Sequence, residues 1–350
     1  MIQRRFGRVA LAATILAASA GVASAQYYEE EGFFLFLDAA FTTPRNTDEV
    51  VAVTQSGVSP VTDQRIERIQ IGWGSEESGK IGFGYVWPGG NKVTASYWQF
   101  DNDSRVVGDG PQDGFMNFAI GPGIYYNSSY YGSYGYPGHF DFVSDIEAES
   151  IEASFGRSQE MGLDFSLEWS LGLRYARFEE NLSGFYDFLD AGSGYLGYYT
   201  YAATMTNEGE MTGFKAAARA TYHFSDIFSV NGGFALSFMD GDVTSGSSLV
   251  PVGACNTGPV PPCPGVGLDL PSASILLEDG DRSGTISDFD INAVWHLADD
   301  RYRISVGYEH SKWDGMPADL TRSTVGNFVP LRARDNVVFS GFKIGVVFRF

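Results

Sequence analysis

The sequence has few residues that bind metals and few long apolar runs. Its 350 residues include two cysteines and four histidines, and 43 acids outnumber 23 cations, for a formal net charge of −20. After the first 25 residues, no apolar run approaches the roughly 18 residues that a transmembrane helix needs. Because 44% of the residues are hydrophobic, general disorder is excluded as well.

The first 25 residues predict export. Three arginines within the first eight residues precede an apolar run from Val9 to Ala20, and Ala23–Ala25 reads Ala-Ser-Ala. This pattern is typical of a secretory signal peptide that is removed before Gln26. A short membrane anchor is the alternative. An exported chain that lacks a transmembrane helix is either soluble or a β-barrel.

The two cysteines, Cys255 and Cys263, flank the segment NTGPVPP. In an exported, proline-rich segment, this spacing predicts a disulfide across a loop. Closing so short a loop would stabilise the fold by roughly 2–3 kcal/mol in the chain-entropy model. A metal site is disfavoured, because no histidine or second cysteine pair lies nearby. We predict no metal and no cofactor.

The last 15 residues, NVVFSGFKIGVVFRF, alternate with period two. One face carries Ser340 and otherwise only apolar side chains, ending in Phe348 and Phe350. The other face includes Lys343, Arg349 and two glycines. Such alternation predicts a β-strand. In an outer-membrane barrel, a strand of this kind faces lipid on one side and a polar lumen on the other.

Nine further stretches alternate in the same way. They cover residues 32–41, 79–87, 91–101, 150–157, 163–178, 211–224, 228–238, 283–297 and 301–313. Short connections at 88–90, 158–162, 225–226 and 298–300 alternate with long loops near 42–78, 102–141, 179–207, 239–281 and 314–333.

This sorting of connections is typical of periplasmic turns and extracellular loops. The sequence therefore predicts an all-β, antiparallel transmembrane β-barrel of ten strands. The count becomes twelve if residues 65–73 and 115–125 join the wall. A soluble β-sandwich is the alternative fold. The Tyr- and Gly-rich part of the second loop, residues 121–140, is interpreted as a flexible surface loop or as a binding or plugging loop.

The strand faces opposite to the apolar ones carry five acids and eight cations. They are Asp38, Lys80, Glu168, Arg174, Lys215, Arg219, Asp288, Asp290, Arg301, Arg303, Glu309, Lys343 and Arg349. Two hypotheses follow. The charges pair across a narrow barrel and fill it, or they line a channel and set its ion preference.

Several segments resemble the Legionella-type major outer-membrane protein family. They are the hairpin at residues 82–100, GLRYAR at 172–177, GYEHSKW at 307–313 and the closing GFKIGVVFRF. The resemblance covers most of the predicted barrel and little of its loops. It implies a pore-forming or surface protein and carries no catalytic residues.

The sequence favours a passive, porin-like channel for ions and small solutes in the bacterial outer membrane. The alternative is a surface adhesin or structural protein with a filled lumen. An enzyme is disfavoured: His296 with Asp288 and Asp290 is the best acid–base cluster, and it spreads over about 25–30 Å of one strand at roughly 3.3 Å per residue.

The predicted partners follow from the predicted location. They are outer-membrane lipid, lipopolysaccharide and the outer-membrane assembly machinery, for which Phe348 and Phe350 are the expected signal. Assembly into a homo-oligomer is left open. No nucleic-acid partner is expected.

Overall fold

The computed structural model describes residues 31–45, 50–56, 65–109, 115–118, 129–130, 139–161, 164–190, 197–256, 273–298, 300–316 and 336–350. The predicted signal peptide, Cys263 and most of the Tyr- and Gly-rich loop lie outside these residues. None of the described residues forms a helix long and apolar enough to cross a bilayer.

Ten strands form a closed antiparallel barrel, as the alternation predicts. The chain has fourteen strands in the described residues, of which four belong to a separate sheet. The strands are β1 (Gly32–Arg45), β2 (Val50–Ser56), β3 (Arg65–Gln70), β4 (Glu76–Val86), β5 (Asn91–Asp109), β6 (Phe115–Phe118), β7 (Ser129–Tyr130), β8 (His139–Glu160), β9 (Phe165–Asp190), β10 (Gly197–Ser225), β11 (Phe228–Asn256), β12 (Ala273–Leu297), β13 (Tyr302–Asp314) and β14 (Asn336–Arg349).

The last strand closes the barrel on the first. β1 pairs with β14 on one side and with β4 on the other, and the order continues through β13, β12, β11, β10, β9, β8 and β5 back to β4. Beyond β14, the backbone N–H of Phe350 donates to the carbonyl of Phe33 at 2.9 Å. Closure leaves no free edge at this seam.

The outer face of the barrel is apolar along a band next to the short turns. Phe342 is 71% exposed and Phe214 is 74% exposed, and Phe33, Phe83 and Phe234 are similarly open. Exposed aromatic and aliphatic side chains in such number are typical of a surface that lipid covers.

Aromatic pairs lie along the edge of this band that is next to the short turns. Phe33 stacks edge-on with Tyr85, Tyr222 with Phe224, and Tyr302 with Phe348. Such a girdle is typical of the membrane interface of an outer-membrane barrel. We call the barrel end with the short turns the turn end. Its described turn residues are 87–90, 161, 164, 226–227, 298, 300 and 301. The opposite end is the loop end.

The wall of the barrel is tall on one side and short on the other. β10 and β11 have 29 residues each, compared with about 9–11 for a strand that only crosses a membrane. β5, β8, β9 and β12 are also long, whereas the adjacent β13, β14, β1 and β4 have 11 to 14 residues.

Many residues assigned to loops near 102–141, 179–207 and 239–281 therefore extend strands. Apolar alternation stops above the lipid band, but backbone pairing between neighbouring strands continues to hold the polar segments as β-structure.

The described strands within residues 65–73 and 115–125 do not join the wall. β3 and β6 pair with β2 instead, and β7 completes a four-stranded sheet of order β3-β2-β6-β7. The twelve-strand alternative is therefore wrong. The connection between β1 and β4 contains β2 and β3, and the connection between β5 and β8 contains β6 and β7. The chain returns to the barrel at the end of each connection.

Candidate functional site

The lumen is the candidate functional site, and its first level is a network of ion pairs. Glu152 on β8 receives three cations: Lys215 Nζ at 2.7 Å, Lys80 Nζ at 3.6 Å and Arg174 Nε at 3.3 Å from its carboxylate oxygens. Arg174 Nη1 also donates to Asp288 Oδ2 at 2.6 Å. These side chains come from five strands, so the network ties opposite parts of the wall together.

A second group of ion pairs lies closer to the turn end. Arg219 Nη2 donates to Asp290 Oδ1 at 3.0 Å, and Lys343 Nζ lies 3.8 Å from Asp290 Oδ2 and 3.7 Å from Glu309 Oε2. Lys92 donates to Glu168. Each of these acids faces a cation, which compensates for the cost of removing both from water.

Inward glycines make room for this group. A Cβ on Gly233 would lie 2.5 Å from Asp290 Oδ1 and 3.3 Å from Arg219 Nε. A Cβ on Gly345 would lie 2.2 Å from Asp38 Oδ1. Real Cβ atoms essentially never come within 3.0 Å of such an oxygen, so a side chain at Gly233 or Gly345 would force the neighbouring carboxylate to move.

The third cluster lies at the turn end around Asp300. Arg303 donates to both carboxylate oxygens of Asp300, Arg349 Nη1 lies 3.3 Å from Oδ2, and His296 Nδ1 lies 2.6 Å from Oδ1. Burial alone would raise the pKa of Asp300, but hydrogen bonds from Arg303 and His296 and the charges of Arg303 and Arg349 hold it well below its usual value. The Asp300 carboxylate is therefore ionised at neutral pH.

An apolar level lies directly above the ion-pair network, toward the loop end. Ile286, Ala176 and Trp313 lie two residues closer to the loop end than Asp288, Arg174 and Ser311 on the same strand faces, and all three are buried. Ser311 Oγ donates to Asp288 Oδ1 at 2.6 Å. The cluster consists of Phe100, Ile146, Ala148, Ala176, Phe178, Met211, Met239, Val243, Ile286, Trp313, Met316, Val337 and Phe339, with Trp73 and Trp98 packed against it.

Four aromatic rings form the centre of this level. The ring of Trp98 lies 5.8 Å from Trp313 and 5.4 Å from Phe339, and Phe100 lies 5.2 Å from Phe339. Trp313 has an exposure of 0%. An open, water-filled lumen would leave such rings wet, so this level is packed as a core.

The segment just before β4 covers the apolar level from the loop end. Ile71 is buried, and Trp73 packs on the cluster. Two inward side chains of β5 hold the segment: Asn102 Nδ2 donates to the carbonyl of Gly74 at 3.0 Å, and Ser104 Oγ donates to that of Gly72 at 2.6 Å.

Most of the charges predicted to line the lumen lie in these clusters. Lys80, Arg174, Lys215 and Asp288 belong to the first group, and Glu168, Arg219, Asp290, Glu309 and Lys343 to the second. Arg303 lies in the Asp300 cluster. Arg301 lies in the turn before β13 and is exposed, so the structure does not bring it to the network.

Sequence reasoning missed Glu152, Lys92 and Asp300. Glu152 and Lys92 alternate with outward apolar residues on their strands. Alternation alone could therefore have predicted that both point into the lumen. Asp300 lies in a turn, where alternation has no meaning. The acid–base set of His296, Asp288 and Asp290, for which the sequence already disfavoured catalysis, does not come together. Asp288 and Asp290 bind Arg174 and Arg219, and His296 lies beside Asp300.

Two other predicted features have a limited description. Phe348 packs on Tyr302 at the outer face, and Phe350 is 82% exposed at the end of the seam. Their role as an assembly signal stays a prediction. The Cys255–Cys263 disulfide stays a prediction, because Cys263 lies outside the described residues. Within the described residues, no group of three or more His, Cys, Asp or Glu is placed to hold a metal ion.

Comparison with known proteins gives a fold likeness and no family. No family model matches the chain, and no curated protein matches it. The outer-membrane protease OmpT from Escherichia coli is similar over 93% of this chain and 99% of its own, at 8% identity and a TM-score of 0.43.

Two other solved barrels are similar over comparable lengths. The Pseudomonas putida toluene transporter TodX covers 92% of this chain and 91% of its own, at 7% identity and a TM-score of 0.31. The attachment invasion locus protein Ail of Yersinia pestis covers 92% and 100%, at 9% identity and a TM-score of 0.21. At these identities and TM-scores, no functional argument rests on the likeness.

Proposed function

We propose that this chain is a bacterial outer-membrane β-barrel whose lumen is closed by its own side chains and which presents β-structure at the cell surface. Of the two functions that the sequence leaves open, this is the surface adhesin or structural protein rather than the porin-like channel. The observation that carries it is the filling of the lumen at two levels, one of ion pairs and one of packed aromatic and aliphatic side chains.

The ion-pair level by itself would leave the channel hypothesis open, since charged lumens conduct in many barrels. The apolar level argues against it. Passing an ion through a dry cluster around Trp313 and Phe339 would remove its water without offering replacement ligands, which is costly.

The proposed orientation places the turn end in the periplasm and the loop end outside. The tall wall of β5 and β8–β12 then rises above the outer leaflet, beside the four-stranded sheet formed by β2, β3, β6 and β7. Polar β-structure of this extent is more than a barrel needs to cross a bilayer, so we assign it the surface role. The resemblance to Legionella-type major outer-membrane proteins, with its pore-forming implication, stays a prediction.

Planar-bilayer recording tests the proposal. Refolded wild-type protein, with insertion verified by its heat-modifiable band, is expected to show no sustained conductance. Trp313→Ala combined with Phe339→Ala opens the apolar level, and we expect brief openings in this variant. The matched control is Phe342→Ala, which removes an outward ring from the same strand as Phe339 and should remain silent.

Sustained, ohmic steps from the wild type would contradict the closed lumen. The porin-like channel would then become the better function, and substitutions at Arg174 and Arg219 would be expected to change its ion preference.

A further inference from the structure

A serine, a histidine and an aspartate form a continuous hydrogen-bonded series at the turn end of the lumen. Ser229 Oγ lies 2.8 Å from His296 Nε2, and His296 Nδ1 lies 2.6 Å from Asp300 Oδ1. The three residues come from β11, β12 and the turn after β12. This geometry, with a nucleophile, a base and an orienting acid within hydrogen-bond reach, is the arrangement that activates serine in unrelated hydrolases.

The direction of the protons follows from the acid. Ionised Asp300 can only accept hydrogen bonds, so His296 Nδ1 must carry the proton of that bond. In the neutral imidazole, Nε2 then has a free lone pair and accepts the O–H of Ser229. This is the tautomer in which a histidine serves as general base.

The turn holds the acid in an uncommon backbone conformation. Asp300 has φ of 68°, and Ala298 before it has φ of 49°. Non-glycine residues in this region are uncommon and often lie at functional sites. Arg303 donates to both oxygens of the carboxylate, which helps to hold Asp300 Oδ1 beside His296.

The surroundings are charged and close to the barrel end. His223 on β10 lies with its ring 5.8 Å from that of His296, and Arg303 and Arg349 approach from β13 and β14. Ser229 is the second residue of β11, roughly 7 Å along the strand from the turn at about 3.3 Å per residue. It is 1% exposed, which argues against a large reactant.

We propose that Ser229 is a nucleophile that accepts the acyl group of small carboxylic esters entering from the turn end, with His296 as its base and Asp300 as a positioning residue. Ser229 Oγ attacks the ester carbonyl, and its proton passes to His296 Nε2. The alkoxide leaves with that proton, and water then releases the acid from the acyl-serine. This activity goes beyond the surface role and against the expectation of no catalysis.

Labelling of the folded full-length barrel tests the proposal. Diisopropyl fluorophosphate, a small serine reagent, forms an Oγ–P bond and releases fluoride. Mass spectrometry is expected to find the adduct on Ser229 in the wild type and none in Ser229→Ala. The matched control is Ser237→Ala, which removes another buried, inward hydroxyl from β11 and should label like the wild type.

Variants of the base and the acid separate catalysis from structure. His296→Gln should slow labelling by at least about 100-fold, the usual contribution of a general base. Asp300→Asn should slow it strongly and Asp300→Glu should restore part of it. A heat-modifiable band in each sample shows that the barrel is folded.

Two outcomes overturn the proposal. One is the absence of an adduct on Ser229 in folded wild type at millimolar reagent after hours. The other is labelling of folded His296→Gln at the wild-type rate. Either result reduces the series to a structural bridge between β11 and β12. Hydrolysis of p-nitrophenyl acetate that is lost in Ser229→Ala and kept in Ser237→Ala would extend the proposal from labelling to turnover.

Discussion

The inner faces of the strands place charges beside opposite charges, whereas the outer face of β8 places acids beside acids. On the inner face of β8, Glu152 lies among Lys80, Lys215 and Arg174. On the outer face of β8, above the apolar band, Asp145 lies opposite Asp103 and Glu147 lies opposite both Asp101 and Glu179. We call the residues Asp101, Asp103, Asp145, Glu147, Glu179 and Glu208 the acidic belt.

The difference follows from access to water. A charge in the lumen loses its hydration and is tolerable only beside an opposite charge. The acidic belt faces solvent, where water and salt screen repulsion between like charges within roughly 8–10 Å. The net charge of −20 can therefore accumulate on the outside, whereas the lumen must balance locally.

The largest expected effect comes from breaking the balance inside. Glu152→Gln removes the acid that Lys80, Lys215 and the buried Arg174 share, so we expect a loss of about 3–5 kcal/mol in the free energy of unfolding. The matched control is Glu147→Gln, five residues away on the outer face, which should change it by less than about 0.5 kcal/mol. Urea unfolding followed by tryptophan fluorescence measures both. Equal effects would refute the contrast between the faces.

A smaller effect is expected at the turn end, with a definite pH sign. The pKa of Asp300 is lowered from 3.8 in the folded state, so its contribution to stability is present above about pH 4 and is lost as pH falls further. Asp300→Asn should cost about 1–3 kcal/mol at pH 7. Below pH 4, the free energy of unfolding of this variant should fall less steeply with decreasing pH than that of the wild type. An equally steep fall in both proteins would show that Asp300 does not cause the acid dependence.

The smallest effect is expected in the acidic belt, with the opposite sign. Burial and the neighbouring Asp103 and Asp101 raise the pKa of Asp145, and burial with Asp101 and Glu179 raises that of Glu147. These groups bind protons more tightly in the folded state. Partial burial and repulsion therefore weaken stability together at neutral pH, and both penalties are relieved as pH falls toward the ordinary pKa values of 3.8 and 4.5.

Neutralising the belt should therefore stabilise the barrel slightly. Asp145→Asn with Glu147→Gln is expected to gain a few tenths of a kcal/mol at pH 7 and low salt. The gain should shrink at 1 M salt, where the Debye length is about 3 Å, because salt screens the repulsion between the acids. A gain of unchanged size at 1 M salt would show that repulsion makes no contribution to it.

Alternation was enough to predict the membrane part of the fold. Leu163 to Tyr175 gives one clear lipid-facing row, and the order of short and long connections gives ten strands. The upper strands were missed because segments such as 197–210 carry polar residues on their outer face, so hydrophobic period no longer marks them. Their pairing with neighbouring strands keeps them extended.

The sequence alone determined which face each barrel side chain takes, because a strand turns its side chains with a period of two. It could not determine which charges meet, since that depends on how far each strand is shifted along its neighbour and on where the chain crosses the lumen. Only the closed barrel brings Glu152 to Lys215, Trp98 to Trp313 and Ser229 to His296. The filling of the lumen, and the series that ends at Asp300, are therefore properties of the tertiary structure.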